Sequence, residues 1–148
     1  ALPSTWATVA IRLIQLHLCI VYVFSGMAKL AGENWQAGTA VWWSVANYEY
    51  QSLDMTWLAN WPVLVALATH ATVFWELFYC FLVWNRYSRP LVLWMAVFVH
   101  GGIALFMGMI TFGFVMLIAN LSFISANTVR RWVDPLAGWI AMRLTGAK

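Results

Sequence analysis

Three long apolar stretches dominate the pattern along the chain, at residues 6–30, 61–84 and 91–126. An α-helix rises about 1.5 Å per residue, so roughly 20 apolar residues cross the hydrocarbon core of a bilayer. The third stretch would extend about 54 Å as one helix, almost twice that thickness. We therefore expect two spans there, 91–107 and 110–126, with a break in the sequence MGMITFG, although a bent or re-entrant arrangement also fits.

The segments outside these stretches predict two interfacial elements. Residues 31–60 contain no lysine or arginine but four tryptophans, which concentrate at membrane–water interfaces. In the tail, residues 127–148, Asp134 suits an N-cap and Pro135 a first helical position. One face of that helix would be apolar, formed by Leu136, Trp139, Ile140 and Leu144. We expect an external interfacial segment at 31–60 and an amphipathic helix that lies on the cytoplasmic surface.

Composition places the chain in a bilayer, because 64% of its residues are hydrophobic and 9% are charged. The net charge of +3 is small and scattered, which argues against a nucleic-acid surface. Positive residues collect in short cytoplasmic loops, so the arginines of loop 85–90 and of the tail predict that both are cytoplasmic. The predicted fold is an all-α, polytopic membrane bundle of about four transmembrane helices at 1–126, followed by the interfacial helix.

Two charged residues inside the predicted spans require an explanation, either an oppositely charged partner or a function, because a charge in hydrocarbon costs about 2.5–3.5 kcal/mol to insert. Arg12 lies in the first span and Glu76 in the second, both in the inner half. We expect an ion pair that locks these two helices together. A substrate or proton path is the functional alternative, and Arg12 could instead extend to the inner head groups and leave Glu76 protonated.

The three histidines lie on three different spans, so none has the paired spacing of a metal site. We expect structural hydrogen bonds between helices for His17 and His70. A haem or chlorin needs only one axial histidine, so a bound pigment stays open as an alternative. His100 is followed by two glycines, the first of them Gly101, which would let a neighbouring helix or a ligand approach closely.

The first span ends in a lysine, Lys29, which has two interpretations. It could extend to the interface and pair with Glu33 one turn later. Alternatively, a partly buried lysine could act as a base at a ligand-binding rim. Ser25 and Gly26 would leave space beside the helix one turn before it, and Trp35 belongs to a segment that can fold over the group.

The sequence around this lysine, VYVFSGMAKLAGENWQAGTAVWW, resembles a known motif. It is similar to the segment Tyr-x-x-(Ser/Ala)-Gly-x-x-Lys-Leu-x-x-x-x-Trp-x-x-Gly of the vitamin K-dependent gamma-carboxylase-like membrane domain, also called the horizontally transferred transmembrane (HTTM) domain. The stretches LATHATVFWELFYCFLVWNRYSRP and VFVHGGIALFMGMITFGFVML resemble later spans of that family. The resemblance extends over about residues 6–123.

This resemblance implies a site and a ligand. In the animal carboxylases the lysine of the motif deprotonates vitamin K hydroquinone, and Lys29 occupies that position, while His100 matches the histidine of a later span. The chain lacks the helices that normally precede the motif and the large extramembrane domain that holds glutamate substrates, so carboxylation of a protein is not expected.

We therefore expect an accessory or structural subunit of a membrane complex in a bacterial inner membrane, in contact with lipids and other membrane protein subunits. A quinone or another lipid would bind near Lys29 and His100. The first alternative is an enzyme that acts on a reduced quinone, with Lys29 as base and with His100 and Glu76 in support. The second is a pigment- or haem-binding subunit.

Overall fold

The computed structural model describes residues 4–145, apart from some side chains after residue 125, and it contains no strand in that range. The helices are α1 Thr5–Leu30, α2 Glu33–Gln36, α3 Ala40–Val45, α4 Pro62–Leu82, α5 Arg89–Phe106, α6 Ile110–Asn120 and α7 Ala126–Thr145. Short 3-10 turns at Thr56–Asn60 and Leu121–Phe123 precede α4 and follow α6. The prediction of an all-α helical bundle is confirmed.

Three of these helices, α1, α4 and α5, are long and apolar enough to cross a membrane. The predicted break after α5 is confirmed, since α5 ends at Phe106 and Gly108 adopts a φ of 67°, which favours glycine. With 11 residues, α6 is only about 16 Å long and too short to cross a bilayer alone. The chain bends by 107° between residues 110–123 and 127–135, so α7 does not continue α6.

The bundle is built around the antiparallel pair α1 and α4. Arg12 contacts Trp84, Tyr22 contacts Tyr79, and Lys29 contacts Glu76. As the residue number increases along α1, the number of its partner on or just after α4 decreases, which is the pattern of antiparallel helices. The pair is close, because a Cβ added at Gly26 would lie 3.0 Å from the Leu77 side chain. The buried core formed with α5 and the turn after α6 consists of Leu18, Cys19, Tyr22, Trp75, Tyr79, Val83, Val92, Ala96 and Phe123.

The register between α1 and α4 leaves the first half of α4 without α1 beside it. Glu76, the partner of Lys29, lies about 21 Å along the helix axis from Pro62. The short helices α2 and α3 fold back into this space, where the backbone N–H of Val41 donates to Thr69 Oγ1 at 3.2 Å. Lys29 therefore lies beside the second half of α4, well away from the end where α4 begins.

The start of α7 differs from its prediction. The backbone N–H of Thr128 donates to Ser125 Oγ at 3.2 Å, which caps the helix about two and a half turns before the predicted start. Pro135 lies inside α7 and Asp134 is not its N-cap, so that boundary was wrong. Trp139 is exposed, whereas the rest of the predicted apolar face, Leu136, Ile140 and Leu144, lies outside the described side chains.

Candidate functional site

An ion pair between Lys29 and Glu76 joins α1 to α4. Lys29 Nζ lies 2.7 Å from Glu76 Oε2, 3.0 Å from Oε1 and 2.6 Å from Ser25 Oγ. An ammonium group has three hydrogens, and each of them has an acceptor here. The side chain of Glu76 is 7% exposed and that of Lys29 is 20% exposed. Both side chains are therefore largely buried, and Lys29 is the more exposed of the two.

The expected partner of Glu76 was wrong. Arg12 lies 17 positions before Lys29, which places it about 25 Å farther along α1. Its Nη1 donates to Gln15 Oε1 at 2.9 Å, and its guanidinium lies 5.8 Å from the centroid of the Trp84 ring. Sequence alone identified the two helices that are joined but assigned the wrong cation. The alternative pairing of Lys29 with Glu33 is also absent from the described contacts.

Trp35 covers the ion pair from the side of the fold-back segment. Lys29 Nζ lies 5.1 Å from the centroid of the Trp35 ring, within the range of a cation–π interaction. This position depends on Gly32, because a Cβ added there would lie 2.9 Å from Trp35 Cδ1. The structure thus brings Ser25, Lys29 and Trp35 together, as the sequence suggested.

A cavity of about 520 Å³ lies next to the ion pair, and Trp35 is one of its lining residues. Its polar lining comes from Glu33, Asn34, Ser44 and Asn47, and its aromatic lining from Trp35, Trp43 and Tyr50. The volume is in the range of small-molecule sites, and aromatic walls with a few polar groups are typical of them. The cavity could hold a flat or amphipathic molecule whose polar atoms face the side chains of α2 and α3.

A buried chain of polar groups runs through the core next to the ion pair. Tyr79 OH donates to Asn120 Oδ1 at 2.7 Å, and Asn120 Nδ2 donates to Tyr22 OH at 2.9 Å and to the Met116 carbonyl at 2.8 Å. Tyr22 OH lies 2.7 Å from His100 Nε2. Because Asn120 supplies a hydrogen to Tyr22, the Tyr22 hydroxyl is free to donate to Nε2, which leaves the proton of a neutral imidazole on Nδ1. That nitrogen is buried and has no partner among the described atoms.

The sequence pattern pointed to His100 but not to Tyr22, Tyr79 or Asn120. A signal was available, because Tyr22, Gly26 and Lys29 share one face of α1 at helical spacing. An asparagine inside an apolar helix also commonly donates hydrogen bonds to another helix. What sequence could not supply was the register that places α6 against α1.

Other predicted site residues are dispersed. Gly26 packs against Leu77, so the space expected beside it is filled. A Cβ added at Gly101 would meet nothing within 4 Å, so this glycine adjoins open space and serves no close contact. His17 and His70 are exposed, in contrast to the buried His100. Within residues 4–145, no group of three metal-ligating side chains occurs.

Comparisons of the chain with models of known families, with curated proteins and with solved structures found no match.

Proposed function

We propose that this chain is an integral membrane protein that binds a lipid-soluble ligand with a polar ring, of the quinone class, in the cavity beside Trp35. It would act as an accessory or structural subunit of a membrane complex. The observation that carries the proposal is the position of Trp35, which contacts Lys29 and also lines the cavity. A ligand in the cavity would therefore act on the ion pair through one aromatic side chain.

Charge and polarity support a ligand of this kind. The ammonium of Lys29 uses its hydrogens on Ser25 and Glu76, so the groups free to recognise a ligand are the amides and hydroxyls of the cavity. Quinone carbonyls accept hydrogen bonds, which Asn34 and Asn47 can donate, and a quinone ring can stack on Trp43. The resemblance to the HTTM domain favours the same class.

The proposed topology has four spans, of which the fourth, α6 with the turn to Phe123, is about 21 Å long and would require local thinning of the bilayer. Loop 85–90 and α7 would lie on the cytoplasmic side, since the arginines of both segments collect there, and residues 31–60 would face the other side. Because α2 and α3 pack along α4, this segment would enter the membrane rather than lie on it. The 107° bend after α6 fits an α7 that runs along the surface.

The test is retention of ubiquinone and menaquinone by the purified protein, measured by native mass spectrometry. Trp43→Ala removes an aromatic wall of the cavity, and Trp57→Ala is its matched control, because Trp57 is similarly exposed in the same segment but does not line the cavity. We expect Trp43→Ala to lose quinone and Trp57→Ala to keep it. Equal retention by both variants, or no quinone on the wild type, would contradict the proposal.

A second candidate, an enzyme that acts on a reduced quinone, is favoured by the buried chain that ends at His100 Nδ1. Its hydroxyl and imidazole groups can move protons, although Lys29 could act as a base only after leaving Glu76. Consumption of a reduced quinone by the wild type, and its loss in His100→Gln at equal folded yield, would support catalysis. Binding without turnover would leave the accessory role.

A further inference from the structure

We propose a second binding site, at the opposite end of α5, for the head group and upper acyl chain of an anionic phospholipid. A cavity of about 530 Å³ lies between the start of α5 and the junction of the turn after α6 with α7. Arg86 and Arg89 line it at one end, and Met107, which lines the cavity beside Trp35, lies about 27 Å away from Arg89 along α5. The site therefore goes beyond the proposed function and is separate from Lys29.

The polar end of this cavity is positively charged and fixed in place. Arg89 donates from Nε to the Val83 carbonyl at 2.9 Å and from Nη2 to the Trp84 carbonyl at 3.0 Å, which holds its guanidinium at the end of α4. Arg86 is exposed, with its guanidinium 4.7 Å from the centroid of the Tyr87 ring. The described residues that line the cavity include no aspartate or glutamate, so neither charge is neutralised there.

Neighbouring groups add to this positive character. Arg12 and Arg89 both line a smaller cavity of about 280 Å³ that adjoins the first one across residues 123–125. The N-terminal ends of α5 and α7 also meet at the larger cavity, and helix N-termini carry partial positive charge. Guanidinium groups from α1 and α5 thus converge on a region where a phosphodiester would be stabilised.

The rest of the lining identifies a lipid rather than a soluble anion. From Arg89 the cavity wall continues along α5 through Leu93 and Val97, which follow at four-residue intervals and so share one helix face. Phe123, from the turn after α6, adds a further apolar side chain to the lining. A free phosphate would use only the arginines, whereas a phospholipid places its phosphate there and its acyl chain along this apolar wall. Basic pockets at the interface between transmembrane helices are known to bind such head groups.

The experiment is competition between dioleoyl phosphatidylglycerol and dioleoyl phosphatidylcholine for the full chain in mild detergent, with bound lipids counted by native mass spectrometry. Arg86→Gln should lower phosphatidylglycerol retention about fivefold, which corresponds to about 1 kcal/mol, the usual effect of one arginine near a charged membrane surface. Arg143→Gln is the matched control, because this substitution removes the same charge at a residue that does not line the cavity. The Arg143 guanidinium also lies over an aromatic ring, 4.8 Å from the Trp139 centroid.

We expect the wild type and Arg143→Gln to prefer phosphatidylglycerol equally. Three results would overturn the site: equal retention of the two lipids by the wild type, equal losses in Arg86→Gln and Arg143→Gln, or displacement of the lipid by inorganic phosphate. Trp94→Ala, which removes part of the apolar lining without changing charge, should weaken retention of both lipids and provides a second variant if Arg86→Gln folds poorly.

Discussion

Removal of either partner of the Lys29–Glu76 pair should destabilise the bundle by unequal amounts. Lys29→Met leaves the Glu76 carboxylate buried at 7% exposure and removes the one cation that pairs with it among the described contacts. We expect a loss of about 3–5 kcal/mol, the usual cost of an orphaned buried charge. Glu76→Leu leaves Lys29, which is more exposed and keeps its hydrogen bond to Ser25, so the loss should be about 1–3 kcal/mol.

The double variant Lys29→Met with Glu76→Leu removes both charges and should cost less than the two single changes together. The assay is reversible unfolding of the detergent-solubilised protein, followed by far-UV circular dichroism, with all variants prepared at equal folded yield. Arg12→Met is the control, because Arg12 lies about 25 Å from the pair and its cation–π contact is worth about 0.5–1 kcal/mol. The decrease in the free energy of unfolding caused by Arg12→Met should be additive with the decrease caused by Glu76→Leu.

Two outcomes would refute this reasoning. Additive losses for Lys29→Met and Glu76→Leu would mean that the two side chains do not stabilise each other in the folded protein. Coupling between Arg12 and Glu76 would mean that the register of α1 against α4 differs from the one described, and would restore the pairing that the sequence suggested.

Two more predictions test the packing of α6 and the orientation of the chain. Gly113→Ala should destabilise the protein by about 1–3 kcal/mol, since a Cβ there would lie 2.6 Å from the His100 carbonyl oxygen, whereas Gly101→Ala, with nothing within 4 Å, should be close to neutral in the same unfolding assay. Cysteines can be placed at Tyr48 and Tyr87, which are 91% and 78% exposed, and treated with an impermeant thiol reagent in intact cells. Only the cysteine at position 48 should react, because residues 31–60 would face outward. Labelling at position 87 alone would reverse the proposed topology.

The hydrophobic pattern predicted α1, α4 and α5 well, because the position of a long apolar helix depends on residues that are close together in the sequence. The lengths of α1, α4 and α5 follow from apolar runs that end at turn residues, and the break at Gly108 follows from a stretch too long for one span. The partner of Glu76 could not be predicted in this way. Periodicity identifies the face on which a side chain lies, but it does not determine how far one helix slides along another, and that register decides between Arg12 and Lys29.

The same limit explains what was missed at the site. Lys29, Ser25 and Trp35 are close in sequence, so their proximity could be anticipated from one helical turn and a short connection. The hydrogen bonds of Tyr22 with His100 and Asn120 join positions 78 and 98 residues apart. Such contacts depend on the close approach of α5 and α6 at Gly113, which no local pattern records.

The fold-back of residues 31–45 along α4 also has a consequence for the order in which the protein assembles. Helices of four and six residues are not stable in isolation, so we expect α2 and α3 to form only once α4 is present to pack against them. Few of the described hydrogen bonds tie the segment 31–60 to α4 and α5: the Val41 N–H donates to Thr69 Oγ1, and Ser52 donates to the carbonyls of Leu105 and Phe106. Its amides should therefore exchange with deuterium faster than those of α1 and α4. Local opening of this segment would expose Lys29 while the main helices stay packed.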